Sequence, residues 1–445
     1  MPPKSPKSTQ KKRQQDTETT TKNPEEEKDE VKRLKKNKDK REKDDESKIQ
    51  SKKKSPKKKP KSTPKKTKKP SKFHWKTEKG FLFMNHEENK GVKKIAGFSL
   101  DGTVIKTKSS KSIPINSKDW VFLNDQVAPK LKEFYDNGFK IVFFANQLNI
   151  SKKKLNQTSY RTRIENVGKK LDFPVQAFIA TENNHIRKPS IYMWKRFVEE
   201  ANDNQEISLQ DSFFVGNLAG REDDQDCSDR QFAANIGLPF KTPEEIFTNK
   251  DVKEEKFSWK SFDAKEIKQN PPKNLYEPSE AKLVSEEQEI ILLIGLPVSG
   301  KTTFFKKYLE PSGYIGIHRE DFTTKTKFLE NIKKNVENKR KICIDTTNHT
   351  TQSRADILLI GKTFSIPVRA FRFMASRPIA EHLNWVRVIF SNGEISHVPP
   401  ISFNRCKIDE PLEKEGFSQI LKINFVPDLP NEKQSEIFYT WTSKN

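Results

Sequence analysis

Cysteine is scarce in this sequence, and long apolar runs are missing. Its three cysteines, Cys227, Cys343 and Cys406, lie far apart with no C-x-x-C pair. That pattern offers neither a disulfide framework nor a zinc site, and it reads as ordinary thiols of a reducing compartment. No apolar stretch approaches the roughly 18–20 residues of a membrane span, so no membrane partner is expected. The N-terminus is rich in Lys, Pro and Ser and has no apolar segment, unlike a secretory signal. No internal repeat is visible.

Positive charge is abundant and uneven. The 445 residues carry 85 Lys and Arg against 61 Asp and Glu, a net charge of +24. Residues 1–72 hold 28 of the former and 12 of the latter, so +16 sits in this stretch and +8 in the rest. A very basic tail on a basic body points to a polyanion, with nucleic acid before membrane. The tail lacks the apolar residues to build a core and is expected to be disordered. Its two basic clusters, Lys32–Arg41 and Lys52–Lys61, suit nuclear import and loose phosphate binding; a merely solubilising tail is the alternative. The nucleus is therefore the expected location.

Beyond residue 72, short β-rich segments alternate with helical patterns. Strands are predicted at 93–98, 139–144, 175–180 and 211–215, with helices near 129–137 and 160–171. This alternation means a parallel α/β sheet, in which ligands sit at the carboxyl ends of strands. Residues 251–285 are charged and carry Pro271, Pro272 and Pro278, and they read as a linker. A second α/β unit follows. The expected division is a tail (1–72), a first α/β domain (73–250), a linker (251–285) and a second α/β domain (286–445).

The second unit begins with the most informative stretch of the chain. Ile290–Ile294 reads as a buried strand, and it runs through Gly295, Ser299, Gly300, Lys301, Thr302 and Thr303 into a helical pattern. Strand, G-x-x-x-x-G-K-T and helix in that order form a P-loop; a chance Gly-rich turn is the alternative. Backbone N–H groups and the helix N-terminus would cradle phosphates, Lys301 would reach the β- and γ-phosphates, and Thr302 would hold Mg²⁺. Asp345, ending strand 341–345, resembles the Walker-B carboxylate that steadies the metal, with a helix N-cap as the alternative. Glu320 and Asp321 follow another short strand, and either can accept the proton of an attacking hydroxyl. Arg354, Arg377 and Arg387 are candidate cations for a migrating phosphoryl group, the last on a helical stretch, 378–390, that a lid would use. These parts describe a small ATP- and Mg²⁺-dependent phosphotransferase.

With both halves read, residues from about 75 to 445 resemble the eukaryotic polynucleotide kinase/3′-phosphatase family. The resemblance rests on Phe98–Ile105, Asn146-Gln147, Arg187–Pro189, Phe214–Arg221, Cys227–Arg230, the P-loop, Asp345–Asn348, Ser353-Arg354 and Glu415–Phe417. It implies a haloacid-dehalogenase-type phosphatase domain followed by a 5′-hydroxyl kinase domain, both acting on broken DNA ends. DNA strand breaks with 5′-hydroxyl ends are the implied substrate, and repair proteins the implied partners. Family members often carry a forkhead-associated module in front; here the Lys-rich tail stands in that place.

The resemblance also exposes departures. The family's nucleophilic Asp is Ser99, its phosphate-binding Thr is Ala145, and its acidic Mg²⁺ ligand is Asn217, while Asp101, Asn146 and Lys188 are kept. A neutral Ser hydroxyl is a poor substitute for a metal-bound carboxylate, and two lost carboxylates weaken a hard cation's site. A degenerate phosphatase half is therefore expected. In the kinase half the family's Asn-Arg-Asp is His318-Arg319-Glu320; residue type favours Asp321 as base and ungapped alignment favours Glu320. Arg354 and Arg387 match family arginines, and Trp385 stands where another is expected. The leading expectation is an ATP-dependent 5′-hydroxyl kinase. A bifunctional enzyme with both activities and a non-catalytic DNA-end binder are the alternatives.

Overall fold

The computed structural model describes residues 71–248 and 256–442. Nearly all of the basic tail, with both its clusters, lies outside the described residues.

The first half contains β1 (Phe73–Glu78), β2 (Phe81–His86), β3 (Lys94–Phe98), β4 (Ile105–Lys106), β5 (Val121–Phe122), β6 (Phe139–Asn146), β7 (Val175–Ala180), β8 (Phe213–Val215) and β9 (Phe240–Lys241). Seven of them form one sheet in the order β1-β2-β7-β6-β3-β8-β9, and β4 and β5 pair separately. The five strands from β7 to β9 run parallel, and the hairpin β1-β2 closes one edge antiparallel. β6 shows why the sheet is buried on both faces. Its Ile141, Phe143 and Ala145 enter one core, and Val142 and Phe144 enter the other, as the two-residue period of a strand demands.

The second half is built in the same way from β10 (Tyr276–Glu277), β11 (Ile290–Ile294), β12 (Ile315–Ile317), β13 (Ile342–Asp345), β14 (Val368–Phe373) and β15 (Gln419–Ile423). Their order is β10-β15-β14-β11-β13-β12, parallel except for β10. β11 lies at the centre and is fully buried: Ile290, Leu292 and Ile294 face one core, Ile291 and Leu293 the other. The register sets Leu293 opposite Asp345, which brings the P-loop and the end of β13 to one edge of the sheet.

The segment expected to be a linker is not a free spacer in its described part. Ser258 donates its backbone N–H to the Gly220 carbonyl (2.9 Å), and Arg369 donates to the carbonyls of Lys282 (2.7 Å) and Leu283 (3.0 Å). β10, within the same segment, pairs with β15. Its prolines and charges hid apolar anchors: Phe262, Ala264 and Ile267 pack with Val386 and Phe438.

Candidate active site

A cavity of about 770 Å³ opens at the carboxyl edge of the second sheet. Its polar end is the P-loop. The Gly295 N–H donates to the Thr347 carbonyl (3.1 Å), fixing the start of the loop against the end of β13. Gly300 has φ +91°, a left-handed conformation in which glycine is unstrained, and from it the helix Lys301–Phe304 departs. Lys301 is buried and curls over the loop, donating to the Leu296 (2.6 Å) and Gly295 (3.3 Å) carbonyls and to Ser299 Oγ (3.4 Å). Burial pushes its ammonium down to about 8, opposed by the Asp345 carboxylate. Ser299, Gly300, Thr302 and Thr303 line the same cavity, whereas Gly295 contributes its carbonyl from behind.

Thr302 Oγ1 donates to Asp345 Oδ2 (2.6 Å), and His318 Nδ1 lies 3.4 Å from the same oxygen. The Thr hydroxyl and one carboxylate fit what Mg²⁺ takes from protein beside substrate phosphates, since it keeps several waters and uses few side chains. Behind them the Asn348 amide donates to the carbonyls of Leu293 (2.9 Å) and Ile344 (3.2 Å), locking the ends of β11 and β13 together.

The two candidate bases separate. Both lie on the short turn Arg319–Asp321, but Glu320 lines the cavity and Asp321 does not. The arginines separate as well. Arg387 sits on the cavity wall from the helix Arg377–Phe390, oriented by Asn384 Oδ1 (3.3 Å) and the Ser396 carbonyl (2.9 Å). Arg354, expected among the phosphoryl-binding cations, lies apart from the cavity lining. It is fully buried; its guanidinium pairs with Glu415 (2.7 and 2.8 Å) and donates to the carbonyls of Asp409 (2.9 Å) and Asn348 (3.2 Å). With its fork saturated it braces the segment around 409–415 against the loop after β13. Arg377 pairs with Glu381 (2.8 Å) and Asn404 (2.6 Å) outside the cavity lining. Trp385 is buried, its ring 4.3 Å from that of His397.

The first sheet gathers its own polar set at the ends of β3, β6 and β8. Lys188 is buried and donates to Ser99 Oγ (3.1 Å), the Phe144 carbonyl (2.6 Å) and Asp229 Oδ1 (2.6 Å). Burial pushes this lysine down, and the Asp229 carboxylate counters it. Its nitrogen reaches three oxygens, and the buried Asp229 carboxylate is the contact that favours its charged form. Asn146 holds Lys188 in place by accepting its backbone N–H (3.0 Å) and donating to its carbonyl (3.1 Å). Asp101 accepts from Arg163 (2.7 Å), Gln147 (3.1 Å) and Tyr160 (3.3 Å). Asn217 closes a loop with Thr103, accepting its hydroxyl (3.1 Å) and donating its own N–H back to it (3.0 Å). Ala145 is buried and offers no hydroxyl.

The two positions that the resemblance gives to metal-binding carboxylates are the neutral Ser99 and Asn217, a poor donor set for Mg²⁺. Among the described residues no group of three or more His, Cys, Asp or Glu side chains is placed to hold a metal ion. Sequence reasoning gave no role to Arg163 or Tyr160, and it did not pair Glu415 with Arg354. A signal for the first two was present: Tyr160, Arg163, Ile164 and Val167 share the buried face of the helix Gln157–Leu171 at helical spacing.

The polynucleotide kinase 3 phosphatase family matches residues 94–247. The bifunctional polynucleotide phosphatase/kinase of Schizosaccharomyces pombe is 31% identical over 357 residues, covering 80% of this chain and 85% of that protein. A protein of Acanthamoeba polyphaga mimivirus, named a putative bifunctional polynucleotide phosphatase/kinase, is 30% identical over 371 residues, 75% of this chain and 85% of its own length. A polynucleotide 3′-phosphatase of Arabidopsis thaliana is 31% identical over 189 residues, 39% of this chain and 27% of that protein. The chain belongs to the polynucleotide kinase/3′-phosphatase family.

Proposed function

We propose that this chain is an ATP-dependent polynucleotide 5′-hydroxyl kinase that acts on DNA ends in strand-break repair in the nucleus, and that its phosphatase-type half does not turn over. The observation that carries the reading is the contrast between the two strand-end sites. On the kinase side Lys301, the Thr302–Asp345 pair, Glu320 and Arg387 line one cavity. On the other side a neutral Ser99, with Lys188 as its cationic neighbour, stands where a nucleophile is needed.

The P-loop backbone and Lys301 bind the phosphates of ATP, and the apolar end of the cavity, with Leu383, Val386 and Phe425, receives the base. Thr302 and Asp345 hold Mg²⁺, which when bound neutralises charge on the phosphate oxygens. Glu320 accepts the proton of the 5′-hydroxyl as its oxygen attacks, and Arg387 meets the charge that spreads over the migrating phosphoryl group. Asp321 takes no part in this scheme, and Arg354 acts only as a brace.

Lys301→Ala separates an enzyme from a non-catalytic end binder. It should lower phosphotransfer to a 5′-hydroxyl oligonucleotide by about a hundredfold or more, as loss of one preorganised donor does, while oligonucleotide binding persists. Unchanged transfer would contradict the assignment.

A further inference from the structure

The helix that carries Arg387 is fastened at its far side. His382, buried on that helix, has both ring nitrogens bonded to the chain's C-terminal segment: Nε2 lies 2.7 Å from the Phe438 carbonyl and Nδ1 3.0 Å from Thr442 Oγ1. The carbonyl can only accept, so Nε2 carries the hydrogen and Nδ1 accepts from the threonine. Burial pushes this imidazole down to about 4, in keeping with a neutral ring.

The same segment is fixed to the other half. Trp441 donates its N–H to Asn235 Oδ1 (2.8 Å) and its carbonyl accepts from Asn235 Nδ2 (2.9 Å). That Nδ2 also donates to the Pro189 carbonyl (2.9 Å), one residue after Lys188. The Trp441 ring stacks on Trp259 at 4.3 Å, and the Arg230 guanidinium lies 3.8 Å from the centre of the Trp259 indole. Asn235 and Arg230 both belong to the helix Ser228–Ile236 of the phosphatase-type half, whose first turn carries Asp229. A second contact lies at the end of the lid helix. A Cβ placed on Gly393 (φ +85°) would collide with the His185 ring, so the turn after the lid abuts the loop that leads to Arg187 and Lys188.

We propose that the phosphatase-type half serves the kinase by positioning Arg387: the helix Ser228–Ile236 holds the strap 438–442, and the strap holds the lid helix through His382. Asn235, Trp441 and His382 are positioning residues. The proposal rests on the kinase reading above and gives the first half a task that needs no phosphatase chemistry. A cation stabilises a transition state in proportion to how well it is preorganised. Trp385 is buried where a further arginine is expected, and of the two arginines on this helix Arg387 lines the cavity whereas Arg377 does not.

The test is steady-state γ-phosphate transfer from ATP to a 5′-hydroxyl oligonucleotide by the full chain, its Asn235→Ala and Arg387→Ala variants, and the double variant. Asn235→Ala should lower kcat about three- to thirtyfold, the span of couplings carried through packed side chains, with the ATP KM changed less than about twofold. In the Arg387→Ala background the same change should have no further effect, because the strap acts through that arginine. An unchanged kcat in Asn235→Ala overturns the proposal, and so does an equal fall in both backgrounds, which marks a general structural loss. No transfer by the unaltered chain sinks the kinase reading, and the positioning role falls with it. If Asn235→Ala fails to fold by near-ultraviolet circular dichroism, Trp441→Ala gives the same comparison, with Trp441→Phe expected to restore activity.

Discussion

Lys301 has two demands on it: burial favours its neutral form, and nucleotide phosphates need its charged form. Burial holds it down to about 8, so in the empty site it loses its proton as pH rises through that value. ATP affinity should therefore weaken between pH 7 and pH 9, and Lys301→Met should abolish that part of the dependence. Direct ATP titrations would read it, and a slope unaltered in the variant would contradict the assignment. At the other strand-end site Lys188 already aims its ammonium at residue 99, where a carboxylate is expected and a hydroxyl stands. Replacing Ser99→Asp, Ala145→Thr and Asn217→Asp together should raise Mg²⁺-dependent release of phosphate from a 3′-phosphorylated oligonucleotide. The expected gain is on the order of a hundredfold or more, the size of the loss when a member of a catalytic set is removed. Fast release by the unaltered chain would refute the degenerate reading. Lys301 and Thr302 were legible as candidates because spacing alone defines a P-loop, and Asp345 because it ends an apolar strand. It did not reveal the role of Arg354, whose partner Glu415 lies 61 residues away and is found only by folding.

The lid helix and its strap make the most specific claim among the elements. His382 titrates near 4 in the folded chain and near 6.5 when unfolded. Between those values the unfolded state binds the extra proton, so stability is full above about 6.5 and falls as pH drops towards 4. The loss from this group is at most about 3 kcal/mol. Denaturant unfolding of the chain and of His382→Gln from pH 7 to pH 4.5 should show the variant less sensitive to acid; parallel curves would rule the imidazole out. Central strands such as β6 and β11 were legible because continuous apolar runs have few other places to go. The two-residue strands β4, β5, β9 and β10 were not, since pairing with a neighbour defines them rather than any period of their own. The hairpin β1-β2 escaped for a related reason: its alternation is broken on β2, where Phe81 and Leu82 are both buried.

At the scale of the molecule, two α/β sheets share one compact unit, Pro70–Asn445, and residues 256–285 bind to both rather than separating them. Charge and prolines made that stretch look like a spacer; its scattered Phe262, Ala264 and Ile267 are too few for a periodic signal and gain meaning only against Val386 and Phe438. The proposed positioning role would give the first half a task that needs no phosphatase turnover, because the helix Arg377–Phe390 is tied through residues 438–442 to the helix Ser228–Ile236. The full chain, given Mg²⁺ and ATP labelled at the γ-phosphate, should label an oligonucleotide with a 5′-hydroxyl and leave unlabelled one whose 5′ end is already phosphorylated. If the 5′-hydroxyl strand stays unlabelled, the account is wrong.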